Sequence, residues 1–247
     1  MGADPDFPYL DATERIAFPH PDTADADGVV ASGANLSPGV LLSAYEQGLF
    51  PWFEEGMPIL WWSPDPRFVL HPEDLYITRR LKRVIRNGGF SVAFNTDFDS
   101  VISLCSRVPR RGQRGTWITS DMIRSYRELH RLGHAHSVEV FRDGRLVGGL
   151  YGVLLGRLFC GESMFSIERD ASKVGFVHLM LRACLPDSPV QIRLVDSQME
   201  TGHMSAFGAR HIPRDEFLAR VARFGGAKPA ADAWASLNDV VVPELNS

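Results

Sequence analysis

An α+β fold around one twisted sheet is the architecture this sequence predicts. Segments with helical apolar spacing and segments with strand alternation are mixed along the chain. In its middle, three strand-like runs joined through Asp143-Gly144 and Leu155-Gly156 form an antiparallel meander. A length of 247 residues, 45% of them hydrophobic, is enough for one large domain or one plus a small companion.

The first thirty-odd residues are acidic and turn-rich, with Pro5, Pro8, Pro19, Pro21 and Gly28, and are expected to wrap the surface of something else. A short helix follows from Ser37 as N-cap and Pro38 in the first turn, carries Val40, Leu41, Leu42 and Tyr45, and ends at Gly48. Phe50 to Trp62 is predicted as a loop. A strand through Arg67 to Leu70 precedes a helix from about Ile77 to Asn87, whose inner stripe is Leu81, Val84 and Ile85 and which Asn87-Gly88-Gly89 stops. Phe90 to Asn95 alternates as a strand, Phe98 to Cys105 is helical, and Arg107 to Gly115 is a basic loop. The clearest helix runs from Ser120 to Leu132, with Gly133 at its C-terminal cap. The meander then comprises Ser137 to Phe141, Arg145 to Val153 and Arg157 to Phe165. A helix from Ala171 to Cys184, a strand from Gln191 to Val195 and a helix from Arg214 to Phe224 complete the chain. There is no internal repeat and no low-complexity segment.

Charge is unevenly spread. Basic and acidic residues number two against thirteen in residues 1–78, nine against two in 79–114 and fifteen of each in 115–247, giving net charges of −11, +7 and 0. Since screening limits what distant charges feel to about 8–10 Å at cellular salt, the overall −4 leaves room for a local phosphate-binding surface. The N-terminus lacks the basic-then-apolar order of a signal peptide, and the apolar run Leu146 to Leu155 is too short to cross a bilayer. A cytoplasmic protein with no membrane partner is expected. Cys105, Cys160 and Cys184 are odd in number and widely spaced, against both a disulfide framework and a cysteine zinc site. His134 and His136 would share a strand face but have no further ligand at a recognisable spacing, so neither a metal nor a cofactor is expected.

Several residues stand out chemically, each with a bland alternative. With a two-residue turn at Leu155-Gly156, Gly152 would lie opposite Phe159, with Leu150 on the same face; Gly148 and Gly152 would then leave an apolar hollow fit for a leucine or phenylalanine side chain, unless a helix packs there. Glu162, between Gly161 and Ser163 in an apolar strand, must be paired, hydrated or functional, because burying a lone carboxylate is costly. Asp196 and Gln198 would share a face if their strand continues regularly, though Asp196 serves equally as a turn or helix cap. Trp52, Trp61, Trp62 and Trp117 are either core residues or platforms on which a base stacks. Two adjacent tryptophans cannot both point inward from a strand, so one of Trp61 and Trp62 should reach a surface or groove. Arg79, Arg80, Lys82, Arg83 and Arg86 have no acid at i+4 to neutralise them, which suits phosphate contact or merely a solvated helix.

The stretches Tyr45-Glu46-Gln47-Gly48-Leu49-Phe50-Pro51-Trp52-Phe53, Trp61-Trp62-Ser63-Pro64-Asp65-Pro66-Arg67, Gly115-Thr116-Trp117-Ile118-Thr119, His134-Ala135-His136-Ser137-Val138-Glu139 and Gly161-Glu162-Ser163-Met164-Phe165-Ser166 with Ala171-Ser172-Lys173 form long ordered blocks. Taken together, these blocks resemble the bacterial leucyl/phenylalanyl-tRNA-protein transferases. The resemblance covers nearly the whole chain. It implies a GNAT-like acyltransferase domain over residues 69–247 after a small N-terminal domain over 1–68. It also implies transfer of Leu or Phe, less readily Met, from aminoacyl-tRNA to acceptor proteins beginning with Arg or Lys, which marks them for degradation through the N-degron pathway. Carried over by motif, Trp52 and Trp117 would hold the terminal adenosine with Tyr126 nearby; Leu150, Phe159, Met164, Phe176 and Val195 would line the aminoacyl pocket. Glu162 would sit in the site, Asp196 with Gln198 would be the catalytic pair, and the basic helix would meet tRNA phosphates. A monomer is expected. Where the family often has Asp-Cys-Gln, this chain has Asp196-Ser197-Gln198. Two other readings are a small-molecule N-acetyltransferase, against which the missing x-x-Gly-x-Gly/Ala phosphate loop counts, and a non-catalytic tRNA-binding module.

Overall fold

The computed structural model describes residues 4, 6–108, 117–226, 229–242 and 245. Seven strands form its main sheet, in the spatial order β10 (Arg210–Ile212), β4 (Arg67–Leu70), β9 (Leu194–Asp196), β8 (Leu158–Ser166), β7 (Arg145–Leu155), β6 (Ala135–Arg142) and β5 (Phe90–Phe94). Neighbours are antiparallel except β8 and β9, which run parallel, so the sheet is mixed. A smaller antiparallel sheet of β1 (Val29–Ser32), β3 (Leu60–Trp62) and β2 (Phe50–Pro51) lies toward the N-terminus. The α+β class is therefore as expected. Among the described residues, no helix is long and apolar enough to cross a membrane.

The meander forms where the sequence puts it, with a bulge between Val140 and Phe141 in its first hairpin and a changed register in its second. Asp143 and Gly144 both have positive φ, 50° and 73°, the backbone of the tight turn that an Asp-Gly pair favours, and Arg142 faces Arg145 across it. The second turn is Gly156-Arg157, one residue later than expected, and Leu155 faces Leu158. Gly152 consequently faces Gly161, and it is Leu154 that faces Phe159. A bulge between Tyr151 and Gly152 then advances the register, bringing Leu150 opposite Met164.

Alternation along the strands feeds two cores on opposite faces of the sheet. Tyr151, Val153 and Leu155 of β7 join α1 (Pro38–Glu46), α3 (Phe98–Arg107) and α4 (Ser120–Arg131) in one, together with the small sheet. Leu150 and Leu154 join α5 (Ala171–Ala183) and Leu81 of α2 (Arg79–Asn87) in the other. Gly148 does not open a hollow as expected. A Cβ there would fall 2.5 Å from Ala171 Cβ, so this glycine instead lets the start of α5 sit on the sheet.

The N-terminal segment does wrap another element, and that element is α1. Ile16 donates its N–H to Ser43 Oγ, Phe18 to Gln47 Oε1, and Arg15 pairs with Glu46 at 2.7 Å. Ser37 occupies the N-cap position, but its hydroxyl accepts the N–H of Leu10 instead of capping the helix. The helix expected at Ser120 forms as α4, where Thr119 Oγ1 caps the N–H of Met122 and Gly133 takes φ 72° at the other end. The segment from Phe50 to Trp62 is not wholly loop, since it supplies β2 and β3. The strand expected over Gln191 to Val195 is confined to Leu194–Asp196. β1, β10, the one-turn α6 (Gly202–Ser205) and a 3₁₀ turn at Ala235–Asp239 are absent from the sequence reading, whereas α7 (Arg214–Phe224) follows Pro213 as expected.

Candidate active site

β7, β8, β9 and α5 wall a cavity of about 760 Å³, within the range of small-molecule sites. Leu150, Phe159, Met164, Phe176 and Val195, the five residues expected to form the aminoacyl pocket, all line it. The glycine that leaves it open is Gly161, where an added Cβ would meet nothing nearer than Asp196 O at 3.7 Å. Gly152 is covered, since a Cβ there would fall 2.5 Å from Phe159 Cζ. Trp52 and Trp117, both half-buried, also line the cavity. The adjacent tryptophans divide as alternation requires. Trp61 is fully buried, while Trp62 stays partly exposed, donates Nε1–H to Trp52 O at 2.7 Å and packs its ring 5.4 Å from that of Trp52.

Glu162 sits in the cavity wall with three donors around its carboxylate. Tyr45 Oη–H donates to Oε1 at 2.7 Å, Tyr126 Oη–H to Oε2 at 2.9 Å and Gln198 Nε2–H to Oε1 at 3.0 Å. The hydroxyls of Tyr45 and Tyr126 also touch each other; with one proton apiece they fill all three contacts only when the Glu162 carboxyl is protonated and donates to one of them, and with the carboxyl ionised one of the three contacts carries no hydrogen. Burial raises the Glu162 carboxyl to about 7, because desolvation outweighs the three hydrogen bonds that favour its ionised form. The same burial pushes both tyrosines well above their usual range, so they act as neutral donors. Tyr126 is fully buried behind Glu162 and does not line the cavity.

Asp196 and Gln198 are joined differently from the shared strand face expected of them. β9 ends at Asp196, and Gln198 takes a left-handed backbone with φ 59°. Gln198 N–H then donates to Asp196 Oδ1 at 2.8 Å. Asp196 is fully buried and gripped at both oxygens by Arg67, Nε to Oδ1 at 2.8 Å and Nη2 to Oδ2 at 2.7 Å. Arg67 is itself 1% exposed, donates Nη1–H to Gly48 O at 3.2 Å and lies over the rings of Phe50 and Phe217. Removing one partner of such a pair costs about 3–5 kcal/mol, because the other is left as an uncompensated buried charge. The outcome is a chain of contacts from Arg67 through Asp196 to the Gln198 backbone, and from Glu162 to the Gln198 side chain. With its Nε2 held, Gln198 keeps its carbonyl oxygen as an acceptor in a residue that lines the cavity.

The basic helix forms as α2, two residues later than expected, with Thr78 Oγ1 capping the N–H of Leu81. Arg79, Arg83 and Arg86 are exposed and Lys82 half-buried. Arg80, however, is paired through space with Asp170, at 2.7 and 2.8 Å, so the absence of acids along the helix does not leave all its cations unmatched. Arg169 and Lys173 also lie 3.8 Å from Asp170. The basic loop from Arg107 to Gly115 lies mostly outside the described residues.

Two residues central to this geometry went unassigned in the sequence reading. Tyr45 figures in the sequence as part of a helical stripe and Arg67 as the start of a strand, and although both stand in stretches that match the family, neither is given a role in the site. The only signal for Arg67 is its place at the head of the apolar run Phe68-Val69-Leu70, and it is burial in the fold that requires a carboxylate partner.

Comparison with known proteins bears on this arrangement. Residues 69–222 match the family model described as leucyl/phenylalanyl-tRNA protein transferase, and residues 34–65 match that of its N-terminal domain. Among curated proteins, a leucyl/phenylalanyl-tRNA–protein transferase of Anaeromyxobacter sp. (strain Fw109-5) is 51% identical over 209 residues, covering 85% of this chain and 87% of that one. The protein of the same name from Pseudomonas entomophila (strain L48) is 49% identical over 223 residues, covering 90% and 96%. A solved GCN5-related N-acetyltransferase from Kribbella flavida aligns over 72% of this chain and 61% of its own at 11% identity, with a TM-score of 0.36 that is too low to carry weight.

Proposed function

This chain belongs to the leucyl/phenylalanyl-tRNA protein transferase family, and on that premise we propose that it moves Leu or Phe, less readily Met, from aminoacyl-tRNA to the α-amine of acceptor proteins beginning with Arg or Lys, in the cytoplasm and as a monomer, so marking them for degradation. The observation that carries the reading is the conjunction of an open apolar recess with two tryptophans at the same cavity and a held glutamine in its wall. The donor side chain enters the recess, and Trp52 and Trp117 take the terminal adenosine. A base stacked on an indole contributes about 1–3 kcal/mol. Tyr126 acts from behind, through Glu162. Exposed cations of α2 meet the tRNA backbone.

The ester that joins amino acid to tRNA is already activated, so the enzyme's main task is to align a neutral amine with the carbonyl carbon. An α-amine has a pKa of about 7.7–8.0, and a useful minority is unprotonated near pH 7. Gln198 Oε1 accepts a hydrogen from that amine and sets its direction of attack. The nitrogen–carbon bond forms, the ester oxygen leaves with its electron pair, and the tRNA's terminal ribose hydroxyl is regenerated with the proton released by the amine. Asp196 serves as a positioning residue because its carboxylate is occupied by Arg67 and the Gln198 N–H. Recess shape selects the donor, and since one methylene is worth about 1–3 kcal/mol, preference is moderate. Incubation with leucyl-tRNA and a peptide beginning with Arg should add the mass of one leucine residue to the peptide's N-terminus. A peptide left unchanged, with donor tRNA bound, would leave only a binding module.

A further inference from the structure

Behind the recess lies an aromatic stack built by the end of the chain. Trp234 stands beyond residue 222, where the family match stops, and is 1% exposed. Its indole is held between two rings, that of His136 at 4.5 Å and 15° and that of Phe159 at 5.4 Å and 25°. Its Nε1–H donates to Ser137 O at 2.9 Å. The stack is pinned from both sides: Asn95 Nδ2 meets His136 Nδ1 at 2.9 Å, and the segment carrying Trp234 is tied down by Asn238, which bonds both backbone groups of Phe94. Phe159 lines the cavity, while Trp234 does not. The indole therefore occupies the space into which the Phe159 ring would retreat, and side chains in such cores have few alternative places to go.

We infer that Trp234 is a specificity-determining residue: by backing Phe159 it fixes the depth of the aminoacyl recess and hence the balance between branched aliphatic and aromatic donors. The inference rests on the reading that this recess holds the donor side chain. Shortening Trp234 removes the backing, lets Phe159 drop away and deepens the recess, which favours the longer phenylalanyl group over leucyl.

The test is a competition in which leucyl-tRNA and phenylalanyl-tRNA are offered together, at equal concentration, with one Arg-initiated peptide, and both products are quantified by mass. The product ratio does not depend on how much of a variant is folded. The Phe-to-Leu ratio should rise on the order of tenfold for Trp234→Leu, and less but in the same direction for Trp234→Phe, which decides the matter if Trp234→Leu does not fold. Both products falling together at the wild-type ratio would mean that Trp234 serves folding alone and would overturn the inference. Leu150→Ala, which enlarges the recess from its own wall, separates the two levels. If it moves the ratio and the Trp234 variants do not, only the role of Trp234 fails; if it does not move the ratio either, the donor is not in this recess and both readings fall.

Discussion

Glu162 and Gln198 meet in the cavity wall, Nε2 to Oε1 at 3.0 Å, and each supports a separable prediction. Burial holds the Glu162 carboxyl near 7, against about 4.5 when exposed. The folded protein thus keeps a proton that the unfolded chain releases earlier. This contribution to stability is complete below pH 4.5 and is lost as pH rises through 7. Relative to Glu162→Gln, the wild type should lose on the order of 2–3 kcal/mol between pH 4.5 and 8, read from urea unfolding at several pH values. A wild type that gains stability relative to the variant over that range would contradict the assignment. In the proposed reaction Gln198 acts on the amine and not on the donor, so Gln198→Ala should lower turnover on the order of tenfold to a hundredfold while leaving aminoacyl-tRNA affinity within about twofold. Loss confined to affinity would remove it from the mechanism.

Among the elements, α2 offers a test through its salt dependence. Each phosphate contact by a cation contributes roughly 0.7–0.9 to the slope of log affinity against log salt. The double change Arg79→Ala with Arg83→Ala should therefore flatten the slope for charged tRNA by about 1.5, whereas Arg80→Ala should change it less, because Arg80 is engaged with Asp170. Equal effects at Arg79, Arg80 and Arg83 would place the tRNA elsewhere or show the Asp170 pair to be broken on binding. Elements that carry their own local signal were legible in the sequence. The Asp143-Gly144 turn fixes a hairpin from two residues, and α4 has its cap, its stripe and its terminal glycine within one segment. The two- to four-residue strands β1, β2, β3 and β10 have no period long enough to read, and exist because a distant partner supplies their hydrogen bonds. The register of β8 was misplaced for a related reason: the turn began one residue later and a bulge followed, and neither leaves a mark in composition.

On the scale of the whole molecule, the cavity is assembled from segments far apart in sequence. What the sequence could supply, through the family resemblance, was the set of wall residues, and Leu150, Phe159, Met164, Phe176 and Val195 all line the cavity. What it could not supply was how they are held. Arg67 and Asp196 lie 129 positions apart and Tyr45 and Glu162 lie 117 apart, and no local pattern links them. The apolar core is likewise shared, with Leu41, Phe50 and Trp61 in one cluster with Phe98, Tyr126 and Tyr151. Residues 1–68 and 69–247, proposed as two domains, should therefore unfold in one calorimetric transition; two resolved transitions would show that they are stable separately. The central claim is that this cavity receives the aminoacyl-adenosine end of a charged tRNA, and calorimetric binding of a hydrolysis-resistant, amide-linked phenylalanyl-adenosine addresses it most directly. Binding should be seen with the wild type, weaken on the order of tenfold or more with Trp52→Ala, and vanish with Gly161→Leu, which fills the recess. Undiminished binding to both variants would mean that the ligand sits elsewhere.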